Sequence, residues 1–334
     1  QIDLIQEIEN QGFTYKTSDG IYFDVVAYEN AGNTYGTLST LDQRKEGARV
    51  EKNPERKDPR DFALWKFSPE EEQRDMEWKS PWGKGFPGWH IECSAMSMKY
   101  LGEQFDIHIG GEDLRSTHHP NEVAQSEAAT NKHPFVKYWM HGSFLLVDDG
   151  RMGKSLGNAY ALHDIRERGF SPLALRYFYL TGHYRKQLNF TWEALEAASN
   201  ALGHLYEVMR ALPDTTSIDD KYQNAFKAVV NDDLNMPQAL AVVWDLLGDT
   251  SVDPGSKKAT LIDFDKVLGF NLGEQEEIDI AVPEEIGKLV EEREKARENK
   301  DFDTADEIRE SIEKQGYTVT DAEDSPKIRK IKKN

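Results

Sequence analysis

The chain has 334 residues, 38% hydrophobic and 10% aromatic, with seven Trp and fifteen Phe, which excludes a disordered chain and, at ~100–200 residues per domain, predicts two or three domains. A net charge of −19, from 41 Lys and Arg against 60 Asp and Glu, argues against blanket charge-driven binding of nucleic acid. The single cysteine, Cys93, excludes an internal disulfide framework and fits a reducing compartment.

Residues 1–11 form an acidic helical pattern with Ile2, Ile5 and Ile8 on one face and Gly12 as its stop. They lack the basic start of a secretory leader, and an opening residue other than Met suggests processing, engineering or a longer parent. No run nears the ~20 apolar residues of a membrane span, so a soluble chain is expected. Residues 13–16 and 21–25 alternate as strands around the hairpin signal Asp19-Gly20. Residues 30–60 are polar and read as loops around a small α+β module. The Trp/Pro/Gly cluster at 80–89 reads as a rigid loop shaping a rim or domain junction.

From 90 to about 165, apolar helical patches alternate with strand-like runs at 105–109, ending in Gly110-Gly111, and at 144–147, ending in Asp148-Asp149-Gly150. This alternation predicts the α/β part. Beyond about 170 the pattern is helical. Thr191 caps a helix with Leu195, Leu202, Leu205 and Met209 inward, and Asn235 and Pro237 open another with Leu240, Val243 and Leu247 inward and Gly248 at its end. Pro283 opens a third, with Ile286, Leu289 and Val290; a fourth carries Phe302, Ala305, Ile308 and Ile312 and stops at Gly316. The expected arrangement is a bundle over 190–282 and a small helical unit after it, without internal repeats. The basic run 327–333 reads as a solvated tail or as a local patch for nucleic acid.

Three segments concentrate reactive side chains: 88–96, 117–122 and 151–158. His118 and Glu122 are four apart and share a face if helical; with the Cys93 thiolate they are competent zinc ligands that leave coordination open. The alternative is a buried structural Cys and a helix-capping His. Lys154 and Ser155 sit in a Gly-containing loop where they could meet a phosphate chain, or simply form a surface loop. The run His108-Ile109-Gly110-Gly111 looks like the HIGH signature of class I aminoacyl-tRNA synthetases with its last His changed. It lies too close to the Lys154 loop for that signature.

Taken together, these segments resemble the cysteinyl-tRNA synthetase family. GWHIECSAM is similar to its zinc-cysteine segment, FDIHIGGEDL and HHPNEVAQSEAAT to DIHGGGxDL and HHENEIAQSEA, and RMGKSLGN to the KMSKSLGN signature loop. GARVE (47–51) and DPRDFALWK (58–66) resemble its connective insertion. LRYFYLTGHYRKQLNFTWEAL and NDDLNMPQALAVVWDL resemble its helical domain, and EEREKARENKDFDTADEIRESIEKQGYTV its C-terminal helices.

The resemblance implies ATP-dependent ligation of L-cysteine to tRNA(Cys) through a cysteinyl-adenylate, in the cytoplasm, by a chain expected to be monomeric. It implies one zinc ion on Cys93, His118 and Glu122, three of the family's four ligands, and Mg arriving with ATP. Trp89 lines up with an aromatic that closes over the bound cysteine. Lys154 lines up with the second Lys of KMSKS and is the catalytic residue expected; Arg151, Met152, Gly153 and Ser155 share its ATP loop, and Gly110, Gly111 and Asp113 match the nucleotide side. The implied fold class is α/β: the second half of a class I Rossmann-type catalytic domain with a small α+β insertion, followed by an all-α helical bundle. The expected division is insertion 1–84, catalytic half 85–145 with the zinc ligands, signature-loop domain 146–189, bundle 190–282, and an anticodon-end helical unit and basic tail 283–334. Arg293, Lys295, Arg297 and the 327–333 tail are expected to meet tRNA phosphates.

The sequence also departs from the family. Arg151 and Gly153 replace Lys and Ser of the signature loop, Ile109 replaces a Gly, Ser116-Thr117 replaces Phe-Pro, and 324–326 lacks the usual ending. No HIGH segment and no second cysteine are present. The expectation is therefore an N-terminally truncated form, inactive alone. Competing readings are a non-catalytic tRNA- or protein-binding paralogue and a mycothiol-pathway cysteine ligase, the latter without the helices matched at 284–319.

Overall fold

The structure, a computed structural model, describes residues 1–39, 53–69, 74–273, 284–299, 301–315, 317–320 and 327–330. The readings placed on 47–51, Pro283, Gly316, 324–326 and 331–333 lie outside the described residues. Two compact units appear: 1–144 with 184–186, and 145–183 with 187–334.

In the first unit, α1 (Ile2–Asn10) buries Ile5 and Ile8, and Gly12 at φ +83° reverses the chain. β1 (Thr14–Lys16) and β2 (Gly20–Phe23) form the expected antiparallel hairpin. α2 (Val25–Asn30) follows, with Asp24 accepting from the Ala27 N–H. β3 (Phe62–Phe67), β4 (Trp78–Ser80) and β5 (Gly83–Pro87) complete a five-stranded antiparallel sheet ordered β1-β2-β3-β5-β4. The Trp/Pro/Gly cluster is thus a strand pair running into a helix, not a rim loop.

α3 (Trp89–Leu101) and α4 (His118–Thr130) share one core with that sheet. Ile5, Phe23, Leu64, Trp65, Ile91 and Ala124 meet there, and β5 runs through the boundary expected at 84/85. The described residues on either side of that boundary therefore bury their apolar surface jointly. β6 (Phe105–Gly111) and β7 (Val136–Gly142) are parallel, Ile107 opposite Tyr138 and Gly111 opposite Gly142. A 3-10 turn, Glu112–Ser116, and α4 supply the crossover that parallel strands require. Gly110 and Gly111 belong to the strand rather than to a turn after it.

The second unit begins with β8 (Leu145–Val147) and β9 (Gly150–Arg151), then α5 (Leu162–Glu167), α6 (Pro172–Leu180) and β10 (Leu188–Phe190). β10 pairs parallel to β8, which pairs antiparallel to β9. The boundaries expected at 145/146 and 189/190 fall inside β8 and β10. α7 (Trp192–Ala211) starts at the Thr191 cap and buries Leu195, Leu202, Leu205 and Met209. α8 (Asp220–Asn231), α9 (Met236–Gly248) and α10 (Pro254–Leu268) join it around one core. In α9 Leu246 is fully buried and Leu247 only partly, a correction of one position.

α11 (Glu284–Glu298) and α12 (Phe302–Lys314) are followed by β11 (Tyr317–Thr320) and β12 (Lys327–Lys330), an antiparallel pair. The expected all-helical end therefore carries a sheet, and 327–330 are not a free tail. Two side chains also differ from expectation. Phe302 is 61% exposed while Ala305 and Ile312 are buried. Arg293, expected at phosphates, is buried at 4%, its guanidinium 2.6 Å from Glu294, because it falls on the face of Ile286 and Val290. Among the described residues no helix is long and apolar enough to cross a membrane.

Phe264 of α10 is buried and stacks on Phe226 of α8 at 4.0 Å. Phe264→Ala is expected to cost ~3–5 kcal/mol in urea unfolding, and Ile262→Ala, at a half-exposed position of the same helix, within ~0.5 kcal/mol.

Candidate metal and substrate site

α3 leaves β5 through Gly88, whose extended backbone (φ −65°, ψ 150°) starts the helix and places Cys93 in its second turn. α4 follows the 3-10 turn after β6 and buries every residue from His118 to Ser126. Where the two helices meet, one ligand atom each of Cys93, His118 and Glu122 lies within 4.8 Å of the others. Cys93 is half-buried, His118 and Glu122 fully buried.

Glu122 has 0% exposure, and among the described residues neither carboxylate oxygen has a hydrogen-bond partner. His118 Nε2 stands 3.0 Å from Oε1, an ion-pair distance without hydrogen-bond alignment; His108 Nε2 is 3.6 Å from Oε2 and His119 Nε2 4.0 Å from Oε1. A buried carboxylate with free lone pairs beside a thiol and an imidazole is a donor set that fits a borderline-soft divalent cation such as zinc.

The outer contacts suit the same role. His118 Nδ1 is 2.7 Å from His90 Nδ1. Burial, helped by the neighbouring His118, pushes His90 down to about 3, so it is neutral. Burial also opposes charge on His118, but the Cys93 sulfur and the Glu122 carboxylate outweigh it and raise the ring to about 9. The assignment that satisfies both rings has His118 Nδ1–H donating to His90, which leaves Nε2 facing Glu122.

Beside this trio lies a second imidazole group. His119 Nδ1 is 2.8 Å from His141 Nε2, and Trp139 packs against His108 and His119 at 4.8 and 4.7 Å. Burial, then His108 and His141, holds His119 at about 3; burial likewise lowers His108 and His141. His108, His119 and Glu122 form another possible ligand trio that shares the same carboxylate. Five of the nine histidines, His90, His108, His118, His119 and His141, thus surround Glu122. Of these, the sequence marks His118 alone as a ligand; His108 sits in the run that imitates a signature, and His90, His119 and His141 have no role assigned from sequence. Their density around α3 and α4 was the available signal.

Trp89 is 60% exposed, its ring 4.4 Å from His118 and stacked on His90 at 5.8 Å, at the edge of the trio. Gly110 and Gly111 close β6. A Cβ on Gly110 would lie 2.6 Å from His119 Cε1, and one on Gly111 would collide with the Asp113 carboxylate. Asp113 lines a cavity of about 440 Å³ with Leu38, Glu112, Arg115 and Phe144.

The second unit carries Arg151, Met152, Gly153, Lys154 and Ser155. Lys154 opens an exposed 3-10 turn, Lys154–Leu156. Asn158 staples the loop: its Oδ1 accepts the Gly153 N–H at 2.9 Å and its Nδ2 donates to the Arg151 carbonyl at 3.1 Å.

Residues 1–200 match the family model for the tRNA synthetases class I (C) catalytic domain, and 279–329 match that for the cysteinyl-tRNA ligase anticodon binding domain. The chain is 46% identical over 331 residues to cysteine–tRNA ligase 1 of Burkholderia lata, covering 98% of this chain and 69% of that one. It is 38% identical to the cysteine–tRNA ligases of Bacillus licheniformis and Treponema denticola, covering 96% of this chain and 71% of each relative.

Gly110→Ala is expected to displace His119 and cost ~1–3 kcal/mol in thermal or urea unfolding. Gly142→Ala on the facing strand, where a Cβ meets nothing within 4 Å, is expected within ~0.5 kcal/mol.

Proposed function

This chain belongs to the cysteinyl-tRNA ligase family of class I aminoacyl-tRNA synthetases, and from that premise we propose that it selects L-cysteine at a zinc site on α3 and α4 and joins it, through a cysteinyl-adenylate made from ATP, to tRNA(Cys). The observation that carries the reading is the convergence of Cys93 and His118 on the buried, unbonded carboxylate of Glu122. These three side chains would hold the ion. Bound there, zinc would supply a soft Lewis acid that favours a thiolate over a hydroxyl, the chemistry that separates cysteine from serine.

The chain's own groups do the rest. His90 fixes the ring of His118 through its neutral Nδ1. Trp89 offers its exposed indole to the amino acid. Gly110, Gly111 and Asp113 shape the nucleotide side in a Rossmann-type half-domain. Lys154, with Arg151 and the backbone of the Met152–Gly153–Ser155 loop, steadies the phosphates of ATP and its Mg as charge builds on the α-phosphate. Gly153 in place of a serine removes one hydroxyl donor from that loop. The helices α11 and α12 and the strands after them meet tRNA away from its acceptor end; Lys295 is exposed there and Arg293 serves packing instead.

With one cysteine and no HIGH segment in its sequence, the 334-residue chain is inferred to form no cysteinyl-adenylate at a useful rate by itself. A single well-placed donor is worth ~10²–10³ in rate, and here one of two facing loops is lacking. Cysteine-dependent ATP–pyrophosphate exchange tests this: background rates are expected from the chain alone, and robust exchange overturns the inference. Metal analysis tests the site separately. One equivalent of zinc is expected on the purified chain and none on Cys93→Ala, whereas equal zinc on both removes Cys93 from the ligand set.

A further inference from the structure

Behind the ligands, the seam between α3 and α4 is polar where helix packing is ordinarily apolar. Ser94, Gln125 and Ser126 all have 0% exposure. Gln125 Nε2 donates to the His90 carbonyl at 2.5 Å and to Ser94 Oγ at 2.7 Å. Ser126 Oγ donates to Ser94 Oγ at 2.9 Å, and Ser94 Oγ donates to the Glu122 carbonyl at 3.4 Å. The Ser94 hydroxyl thus uses both lone pairs and its one proton. The amide orientation of Gln125 is fixed as well, because the His90 carbonyl can only accept.

The spacing explains why this network falls where it does. His90 and Ser94 are four apart on α3, and Glu122, Gln125 and Ser126 are three and four apart on α4, so each set shares a face. Every ligand is one step away. Ser94 adjoins Cys93, the Glu122 carbonyl belongs to a ligand itself, and the His90 ring touches His118.

We propose that Gln125 and Ser94 are positioning residues for the metal site, a buried hydrogen-bonded clamp that sets the distance from Cys93 on one helix to His118 and Glu122 on the other. The inference rests on the metal reading above. An apolar seam would hold the helices together through contacts that tolerate sliding, whereas hydrogen bonds of 2.5–2.9 Å fix both the separation and the register. A thiolate–zinc bond of ~2.3 Å has little tolerance for such sliding. Neither residue touches the ion or the substrate; both act through the helix that carries a ligand.

Cobalt(II) provides the readout, because a coordinated thiolate gives a near-ultraviolet charge-transfer band that a merely folded protein does not. The whole 334-residue chain is titrated with cobalt as the unsubstituted protein, Cys93→Ala, Gln125→Met, Ser94→Ala, Ser126→Ala and Thr130→Val. Gln125→Met keeps side-chain length, and Ser126→Ala removes a single donor, so at least one variant of the seam is expected to stay folded by circular dichroism. Thr130 donates to the Ser126 carbonyl and accepts from the Lys132 N–H just past the end of α4, with no hydrogen bond to α3 among the described residues, and controls for general loss of helix stability. The expected result is at least tenfold weaker cobalt binding with a diminished thiolate band in Gln125→Met and Ser94→Ala, a smaller loss in Ser126→Ala, and no change in Thr130→Val. Unchanged affinity and band in folded Gln125→Met, or an equal loss in Thr130→Val, overturns the clamp while the metal reading stands. No thiolate band in the unsubstituted chain, or the same band in Cys93→Ala, overturns the metal reading and the clamp with it.

Discussion

Burial of the Glu122 carboxylate removes it from water, and among the described residues no hydrogen bond replaces what water gave. An ionised carboxylate left so would cost several kcal/mol, which in practice forces a neighbouring cation or protonation. The first unit supplies the cationic side of that balance: His118 at 3.0 Å, raised in basicity by the acid and by the Cys93 sulfur, and room for an ion that the three share. The fold around it follows from keeping that acid dry. α4 is buried along nearly its whole length, between the sheet core through Ala124 and Ala128 and the β6–β7 pair through the histidines.

That demand also explains why the antiparallel sheet and the strand–helix–strand element share one unit. Ile91 from α3 and Ala124 and Ala128 from α4 complete the core that Ile5, Leu64 and Trp65 begin. A division drawn from sequence at 84/85 separates residues that share one core. In the second unit the apolar residues of α6 to α10 surround one another in the same way, and Val147 and Phe190 of the small sheet enter that core.

What the sequence made legible was whatever carried its own local signal. The Asp19-Gly20 hairpin, the Thr191 and Asn235 caps and the stripe Leu195–Leu202–Leu205–Met209 need no tertiary information. The Cys93, His118 and Glu122 trio was legible as chemistry, through residue types and a family resemblance. What stayed hidden depended on partners far along the chain. β7 has apolar and polar residues in no simple alternation, because one face meets histidines. α10 buries Gly255, Ala259, Thr260, Leu261, Phe264 and Leu268 on several sides, so no stripe marks it. Arg293 reads as a surface cation until the face of α11 is known, and Ser94 and Gln125 read as ordinary polar helix residues until α3 and α4 are set side by side.

Under the proposed function, the arrangement answers a problem that shape alone does not solve. Cysteine and serine differ by one atom, and pockets that sort by fit separate such pairs by only ~1–3 kcal/mol. A polar pocket would worsen the choice, since hydrogen-bond donors favour the hydroxyl. A softer donor set changes the question from size to bonding. One sulfur, one imidazole and one carboxylate leave an ion that accepts a further thiolate far more readily than an alcohol. That preference would survive only if the protein ligands hold their geometry around the ion. Rigid helices meet this requirement better than loops, because their side chains are locked by packing and by outer hydrogen bonds. A polar seam at 0% exposure behind the ligands, rather than a flexible loop, is where such rigidity is built.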